Sequence, residues 1–291
     1  MKTNLRDLYG LKHNPFSPDV PTDALYPGAR LSEFCWRIEH GLAVEGGFAM
    51  ISGPPGVGKS VTLRLLARQL DGLREVMTGA FQHPQSNIAD FYREMGELFG
   101  VSLRPHNRWA GFKDLRARWI GHIEKTLMRP VLLVDEAQEM NSTVLGELRI
   151  LASTRFDSRS ILGVVLAGDE RLPDKLRREE LMPLGSRLRT RLVLEPVSPA
   201  ELAELLVHRL KAAGNPGLMT QALIHTLCEH ALGNPRVLMN MASELLIAAA
   251  HKERELLDEK LYFEVFDRTP SAAKAPRAPK KGRRAAAGRR R

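Results

Sequence analysis

Gly53-Pro-Pro-Gly-Val-Gly-Lys-Ser60 is the stretch on which the fold turns. It has the spacing G-x-x-x-x-G-K-[ST], a glycine-rich turn whose backbone N–H groups can surround phosphate oxygens. The flanks agree with that reading. Phe48-Ala-Met-Ile51 reads as a short buried strand before the turn. Lys59 to Leu70 reads as a helix after it, apolar at Val61, Leu63, Leu65, Leu66 and Leu70. Gly53, Pro54, Pro55, Gly56, Val57, Gly58, Lys59, Ser60 and Val61 are therefore the candidate nucleotide-binding residues. Lys59 is suited to neutralising the β- and γ-phosphates and Ser60 to ligating Mg2+. A chance glycine-rich turn is the alternative, and the strand before and helix after argue against it.

Outward from this motif, strands alternate with helices. Helical periodicity is expected from Leu31 to Val44, over 86–99, over 110–127 and over 141–153. Strands are expected at Arg74–Thr78, Val131–Val134, Ile161–Ala167 and Arg191–Leu194. The strand segments are mainly continuous apolar runs, which implies an α/β fold: a central, mainly parallel sheet flanked by helices on both faces. Val131-Leu-Leu-Val-Asp-Glu136 ends one such strand on two carboxylates. Asp135 is placed to hold the magnesium–water network, and Glu136 to orient or deprotonate a water attacking the γ-phosphate. A solvated loop or a helix cap is the bland reading of the same pair.

After Pro196 helices follow one another without strands, over 198–213, 219–230, 235–250 and 253–267. Ser198-Pro-Ala-Glu201 marks the first start, with a Ser cap, Pro at the first helical position and Glu three after the cap. The expected organisation is an N-terminal extension (1–28), an α/β nucleotide-binding domain (29–196), a small helical lid (197–268) and a disordered basic tail (269–291).

The 291-residue chain carries 43 Lys+Arg against 34 Asp+Glu, a formal charge of +9. Nine basic residues and no acidic one fall in Ser271–Arg291, leaving 34 of each sign in residues 1–270. The body is formally neutral and the excess is in the tail. With 43% hydrophobic residues the body can build real cores. Cys35 and Cys228 alone support neither a disulfide framework nor a cysteine zinc site. No apolar run approaches the roughly 20 residues of a membrane span, and no signal-peptide core follows Met1. A cytoplasmic protein without direct membrane insertion is expected.

A hydrolase of this kind needs positive charge beside the transferring phosphoryl group, and an arginine from a neighbouring subunit can supply it. Arg187 or Arg189 is the candidate, ordinary exposed charge the alternative. Arg236, in Gly233-Asn-Pro-Arg, starts a helix of the second domain.

At this point the residues resemble a known group: AAA+ ATPases, in the branch holding general secretion pathway protein A and the ATP-binding subunits of bacterial transposition systems. The resemblance spans about residues 6–250. It is carried by Leu8-Tyr-Gly-Leu, Asn14-Pro-Phe16, Leu25-Tyr26, the phosphate loop, Val134-Asp-Glu-Ala-Gln138, Val165-Leu-Ala-Gly168, Ser186-Arg187 and Gly233-Asn-Pro-Arg236. The resemblance implies ATP and Mg2+ as cofactors, Glu136 as catalytic base, Arg187 as trans-acting arginine finger and Arg236 as the lid's sensor arginine. It places the first sensor at the end of the 161–167 strand, where Asp169 is the nearest polar residue. Pro15 and Phe16 line the adenine pocket or pack against the lid.

It also implies homo-oligomers, rings or helical filaments, with ATP between subunits. The leading expectation is a DNA-binding ATPase that assembles on double-stranded DNA and regulates transposition by target selection and transposase recruitment. Candidate DNA contacts are Arg104, Arg108, Lys113, Arg116 and Arg118 in the body, against a solvated helix face, and Lys280, Lys281, Arg283 and Arg284 in the tail. The alternative is an ATPase of a secretion or envelope assembly system acting on a protein partner. A non-hydrolytic adaptor is a third reading, opposed by the intact Lys59, Ser60, Asp135 and Glu136.

Overall fold

The computed structural model describes residues 5–102 and 107–266. Arg104 and the tail candidates Lys280, Lys281, Arg283 and Arg284 lie outside the described residues. The strands are β1 Gly47–Ser52, β2 Thr78–Phe81, β3 Val131–Val134, β4 Ser153–Thr154, β5 Arg159–Ser160, β6 Gly163–Gly168 and β7 Leu188–Val193. In the N-terminal extension is α1 Leu5–Tyr9; helices of the α/β part are α2 Ala29–Arg37, α3 Ala43–Glu45, α4 Lys59–Asp71, α5 Ile88–Phe99, α6 Arg108–Thr126, α7 Ser142–Leu151, α8 Arg171–Leu176 and α9 Met182–Gly185. The lid comprises α10 Pro199–Ala213, α11 Gln221–His230, α12 Pro235–His251 and α13 Glu259–Phe266.

The main sheet has the order β2-β3-β6-β1-β7, and every pairing in it is parallel. β1, β3 and β6 are buried along their whole length. That is why they read as unbroken apolar runs: helices cover both faces. One core lies on the α5–α6–α7 face, with Phe91, Met95, Phe99, Leu115 and Trp119 at its centre. The other joins α2 and α4 through Phe34, Ile38, Leu66 and Leu70. β4 and β5 form a separate antiparallel hairpin between α7 and β6, giving the fold its one antiparallel pairing among the described residues.

Two expected strands move. The second strand begins at Thr78, where the expectation had it end, because residues 73–76 are in a turn (Val76 N–H to Leu73 O, 3.1 Å) and the ladder to β3 starts at Thr78↔Val131. The last strand runs over Leu188–Val193 rather than Arg191–Leu194. It is an edge strand whose side chains alternate between the protein and solvent, so its exposed Arg189 and Arg191 masked the pattern. The fourth lid helix begins at Glu259, six residues later than expected.

Local chemistry explains the helix ends. Asn87 caps α5 by accepting from Ala89 and Asp90 N–H, and left-handed Gly100 closes it. Ser198 and Glu201 form the reciprocal capping box on α10. The N-terminal segment does not join the sheet. Tyr9, Leu11 and Phe16 belong to the lid core with Leu202, Leu206 and Leu210, and Lys12 N–H donates to Ala213 O at 2.8 Å.

One buried polar group ties α5, α6 and α7. Glu147 is 5% exposed. It accepts from Tyr92 Oη at 2.5 Å and Arg108 Nε at 3.0 Å. Burial would raise this carboxyl, but the Arg108 and Tyr92 hydrogen bonds outweigh it and hold it below the usual range. A depressed carboxylate contributes stability above its unfolded pKa and loses it as pH falls through the folded value. Arg108→Ala should therefore cost about 1–3 kcal/mol near neutral pH. Urea unfolding in pH steps should show the difference from wild type shrinking below about pH 4.

Candidate active site

The register decides where chemistry can sit. Ser52 of β1 pairs with Gly168 of β6, and Val134 of β3 pairs with Leu166. The loop after β1, the Asp135–Glu136 pair after β3 and Asp169 after β6 therefore leave the sheet at one edge, the C-terminal edge where open α/β sheets bind ligands.

The loop from Gly53 to Gly58 needs glycine at Gly56 (φ 88) and Gly58 (φ 112). Gly58 precedes α4, and Thr62 N–H and Oγ1 both donate back to its carbonyl. Lys59 is 7% exposed, its Nζ donating to Gly53 O at 3.0 Å and Pro54 O at 3.1 Å. A cation curled inside a loop of glycine amides at a helix N-terminus fits a polyphosphate. Ser60 on the first turn of α4 and Asp135 at the end of β3 are oxygen donors of the kind Mg2+ takes. Asp135 Oδ1 accepts from Glu136 N–H at 2.9 Å.

Glu136 is left-handed (φ 50, ψ 39), a conformation that costs a non-glycine residue roughly 1–2 kcal/mol. Its Oε2 accepts from Gln138 Nε2. Asp169, the nearest polar residue at the end of β6, has its carboxylate engaged by Arg171 (backbone N 2.9 Å, Nε 2.8 Å). Arg171 first, and Lys59 more weakly, hold Asp169 below the usual carboxylate range against partial burial. Arg171 also pairs with Glu139 at 2.7 Å.

The lid reaches the loop directly. Asn234 Nδ2 donates to Pro55 O at 3.0 Å and Arg236 N–H to Gly56 O at 3.3 Å. A Cβ on Gly56 would lie 2.4 Å from Asn234 Oδ1. Arg236 thus stands exposed on the first turn of α12 beside the phosphate loop. Asn234 is a contact that reasoning from charge alone misses, although it was in view in Gly-Asn-Pro-Arg. Pro15 and Phe16 are buried, Phe16 within the lid core. The following segment meets α4, with Arg64 donating to Pro18 O at 3.0 Å and Val20 O at 2.5 Å.

Arg187 is not brought to this edge. It precedes Leu188, which pairs with Phe48 near the start of β1. It is therefore separated from its own phosphate loop by the length of β1, about 15–20 Å. Its Nη2 donates to Asp157 Oδ2 at 2.5 Å at the tip of the β4–β5 hairpin, where Arg155, Phe156 and Asp157 are all left-handed. The Ser153 hydroxyl, then Arg187 and Arg149, hold Asp157 below the ordinary carboxylate range. Arg189 lies within β7 and pairs with Glu45 at 2.5 Å.

The body's basic candidates are partly committed. Arg108 serves Glu147. Arg116 donates to Ile150 O at 3.0 Å and Ser153 O at 2.5 Å and lies over the Phe112 ring. Arg118 reaches Phe99 O at 3.4 Å, and Lys113 lies over the exposed Trp109 ring.

Fold and site together define an AAA+ P-loop nucleotide-binding domain with a helical lid. Residues 43–176 match the family model described as an AAA domain. The chain is 31% identical over 246 residues to general secretion pathway protein A of Aeromonas hydrophila, covering 83% of this chain and 44% of that protein. It is 28% identical to the Holliday junction branch migration complex subunit RuvB of Anaeromyxobacter sp. (strain K), covering 76% of this chain and 56% of that protein. Among solved structures, Cdc6p from Pyrobaculum aerophilum superposes with a TM-score of 0.66 at 17% identity, covering 86% of this chain and 70% of that one, a likeness of fold. The chain carries an AAA+ P-loop ATPase domain related to the two curated proteins, and spans about half the length of each. ATP hydrolysis is the activity such a domain supports. Among the described residues no helix is long and apolar enough to cross a membrane.

Lys59→Ala should weaken nucleotide binding about tenfold to a hundredfold, the worth of a charge-assisted phosphate contact. Asn234→Ala should leave binding nearer to wild type and loosen the lid. Calorimetry with a non-hydrolysable ATP analogue reads the first effect. Limited proteolysis at the lid, with and without that analogue, reads the second.

Proposed function

We propose that this chain hydrolyses ATP at sites shared between head-to-tail copies of itself and uses that cycle to control its residence on duplex DNA. Ser60 and Asp135 hold Mg2+, Lys59 and the loop amides hold the phosphates, and Glu136 takes the proton of the attacking water, giving ADP and phosphate. Pro15 and Phe16, at the junction of extension and lid, flank the base, and Arg236 reports the nucleotide to the lid.

The observation that carries this reading is the position of Arg187. An arginine about 15–20 Å from its own phosphate loop along the strand direction has no means of serving that site. A second copy packed head to tail brings the N-terminal edge of one sheet to the C-terminal edge of the next. Mixed assemblies test it. Arg187→Ala alone and Glu136→Gln alone should each lower turnover about a hundredfold. Mixing them should recover part of the rate, because one interface then has an intact base and an intact finger. A mixture no faster than its components would overturn the shared site.

Duplex DNA as partner is supported by the basic tail and by the RuvB relationship, RuvB being named as a branch migration subunit. The finer role we propose is regulation of transposition: ATP favours assembly on target DNA, the assembly recruits a transposase, and hydrolysis releases it. A second reading, an ATPase acting on a protein partner in a secretion or envelope system, has the stronger relative behind it, the 31% identity to general secretion pathway protein A.

DNA binding across a salt series separates the two. Deleting residues 271–291 should weaken binding and flatten the salt dependence, by about 0.9 in log–log slope for each DNA phosphate that the tail had neutralised. Turnover stimulated by duplex DNA supports the first reading. Absence of both binding and stimulation would leave the protein-partner reading.

A further inference from the structure

Gln138 closes the motif Val134-Asp-Glu-Ala-Gln138, and neither phosphate nor metal binding calls on it. It is 7% exposed. Its two amide atoms are both used, and in different directions. Nε2 donates to Glu136 Oε2, while Oε1 accepts the Asp169 backbone N–H at 3.1 Å. The side chain therefore spans from the acidic loop after β3 to the end of β6.

The surroundings fix it in that span. Lys175 of α8 donates to Gln138 O at 2.9 Å and to Met140 O, pinning the short 3-10 turn Ala137–Glu139. Gly168 leaves room for the amide: a Cβ there would stand 2.6 Å from Gln138 Oε1. Meanwhile the Asp169 carboxylate, the polar group expected at the end of β6, is held by Arg171. The end of β6 thus contributes a backbone N–H rather than a side chain, and the amide joining it to Glu136 comes from the adjacent strand's loop.

We propose that Gln138 is a positioning residue for hydrolysis, fixing one oxygen of the Glu136 carboxylate against the end of β6 so that the other is presented to water. It rests on the ATPase reading above. The hydrogen-bond logic is directional. An amide carries both a donor and an acceptor, and the site needs the donor toward Glu136 and the acceptor toward Asp169 N–H. An ionised carboxylate of the same shape keeps the acceptor but replaces the donor with like-charge repulsion. Once protonated, it donates again.

Two variants of similar volume isolate these functions. Gln138→Met removes both contacts. It should lower kcat about tenfold or more while KM and analogue affinity stay within about twofold, and amide exchange over 163–172 should speed up at Asp169. Gln138→Glu should keep Asp169 protected. Its kcat should be depressed at about pH 8 and recover toward wild type at about pH 6, a rise that wild type does not share.

Wild-type kcat in Gln138→Met overturns the proposal. So does loss of turnover and nucleotide affinity together in both variants, with exchange raised along the whole β3–β6 edge, which is the mark of a merely structural residue. If wild type itself shows no turnover, the ATPase reading falls and takes this assignment with it. If wild type turns over and the Gln138 variants match it, this assignment falls alone.

Discussion

Burial of three parallel strands on both faces is the constraint on which everything else in this molecule depends. β1, β3 and β6 have no solvent face, so polar chemistry is confined to their ends. The parallel register then gathers the phosphate loop, the acidic pair and the Gly168–Asp169 turn at one edge. The same register sends Arg187 to the other edge. A single geometric fact thus builds a binding site around Lys59 and keeps Arg187 away from it. Under the proposed shared site, head-to-tail assembly would bring the two edges together.

Several elements converge on the phosphate loop. Lys59 is curled onto the loop's own carbonyls. Asn234 and Arg236 tie it to α12. Arg64 of the following helix holds the extension, whose aromatic residues are built into the lid core. Extension and lid therefore share one core, and both are tied to the loop or to the helix that follows it. Gly56 is the contact point, and its lack of a side chain is what allows Asn234 to approach.

Most of the sheet and the loop were legible because their signals are local. Continuous apolar runs report burial on two faces, and Gly53–Ser60 reports a backbone shape through residue types alone. β7 was displaced in the reading because an edge strand alternates, and Arg189 and Arg191 occupy the outward positions. The β4–β5 hairpin is two residues per strand, too short to carry a period. Within the site, Lys59, Ser60, Asp135 and Glu136 are visible by type and spacing. Gln138 is not. Its role depends on which strand lies beside β3, and sequence order does not say that β6 does. Asp169 shows the same limit from the other side: its position at the end of β6 is legible, but its engagement with Arg171 is a matter of tertiary contact.

Charge follows the same local logic. Formal neutrality of the body is compatible with scattered opposite charges or with a set of committed pairs, and here many arginines are committed. Arg108 serves buried Glu147, Arg149 and Arg187 converge on Asp157, and Arg171 bridges Asp169 and Glu139. Such arginines set geometry, and their removal is felt as altered structure before it is felt as weaker affinity. A tail with nine basic residues and no acidic one has no such obligations within its own sequence. On the DNA reading this divides the labour: the tail supplies attraction that is indifferent to sequence and sensitive to salt, and the body, whose charges are engaged in its own architecture, supplies the nucleotide-dependent clock. The committed state of Arg187 gives that clock a further condition. On the proposed shared site, a neighbouring copy would recruit this guanidinium only by competing with Asp157, which holds it here.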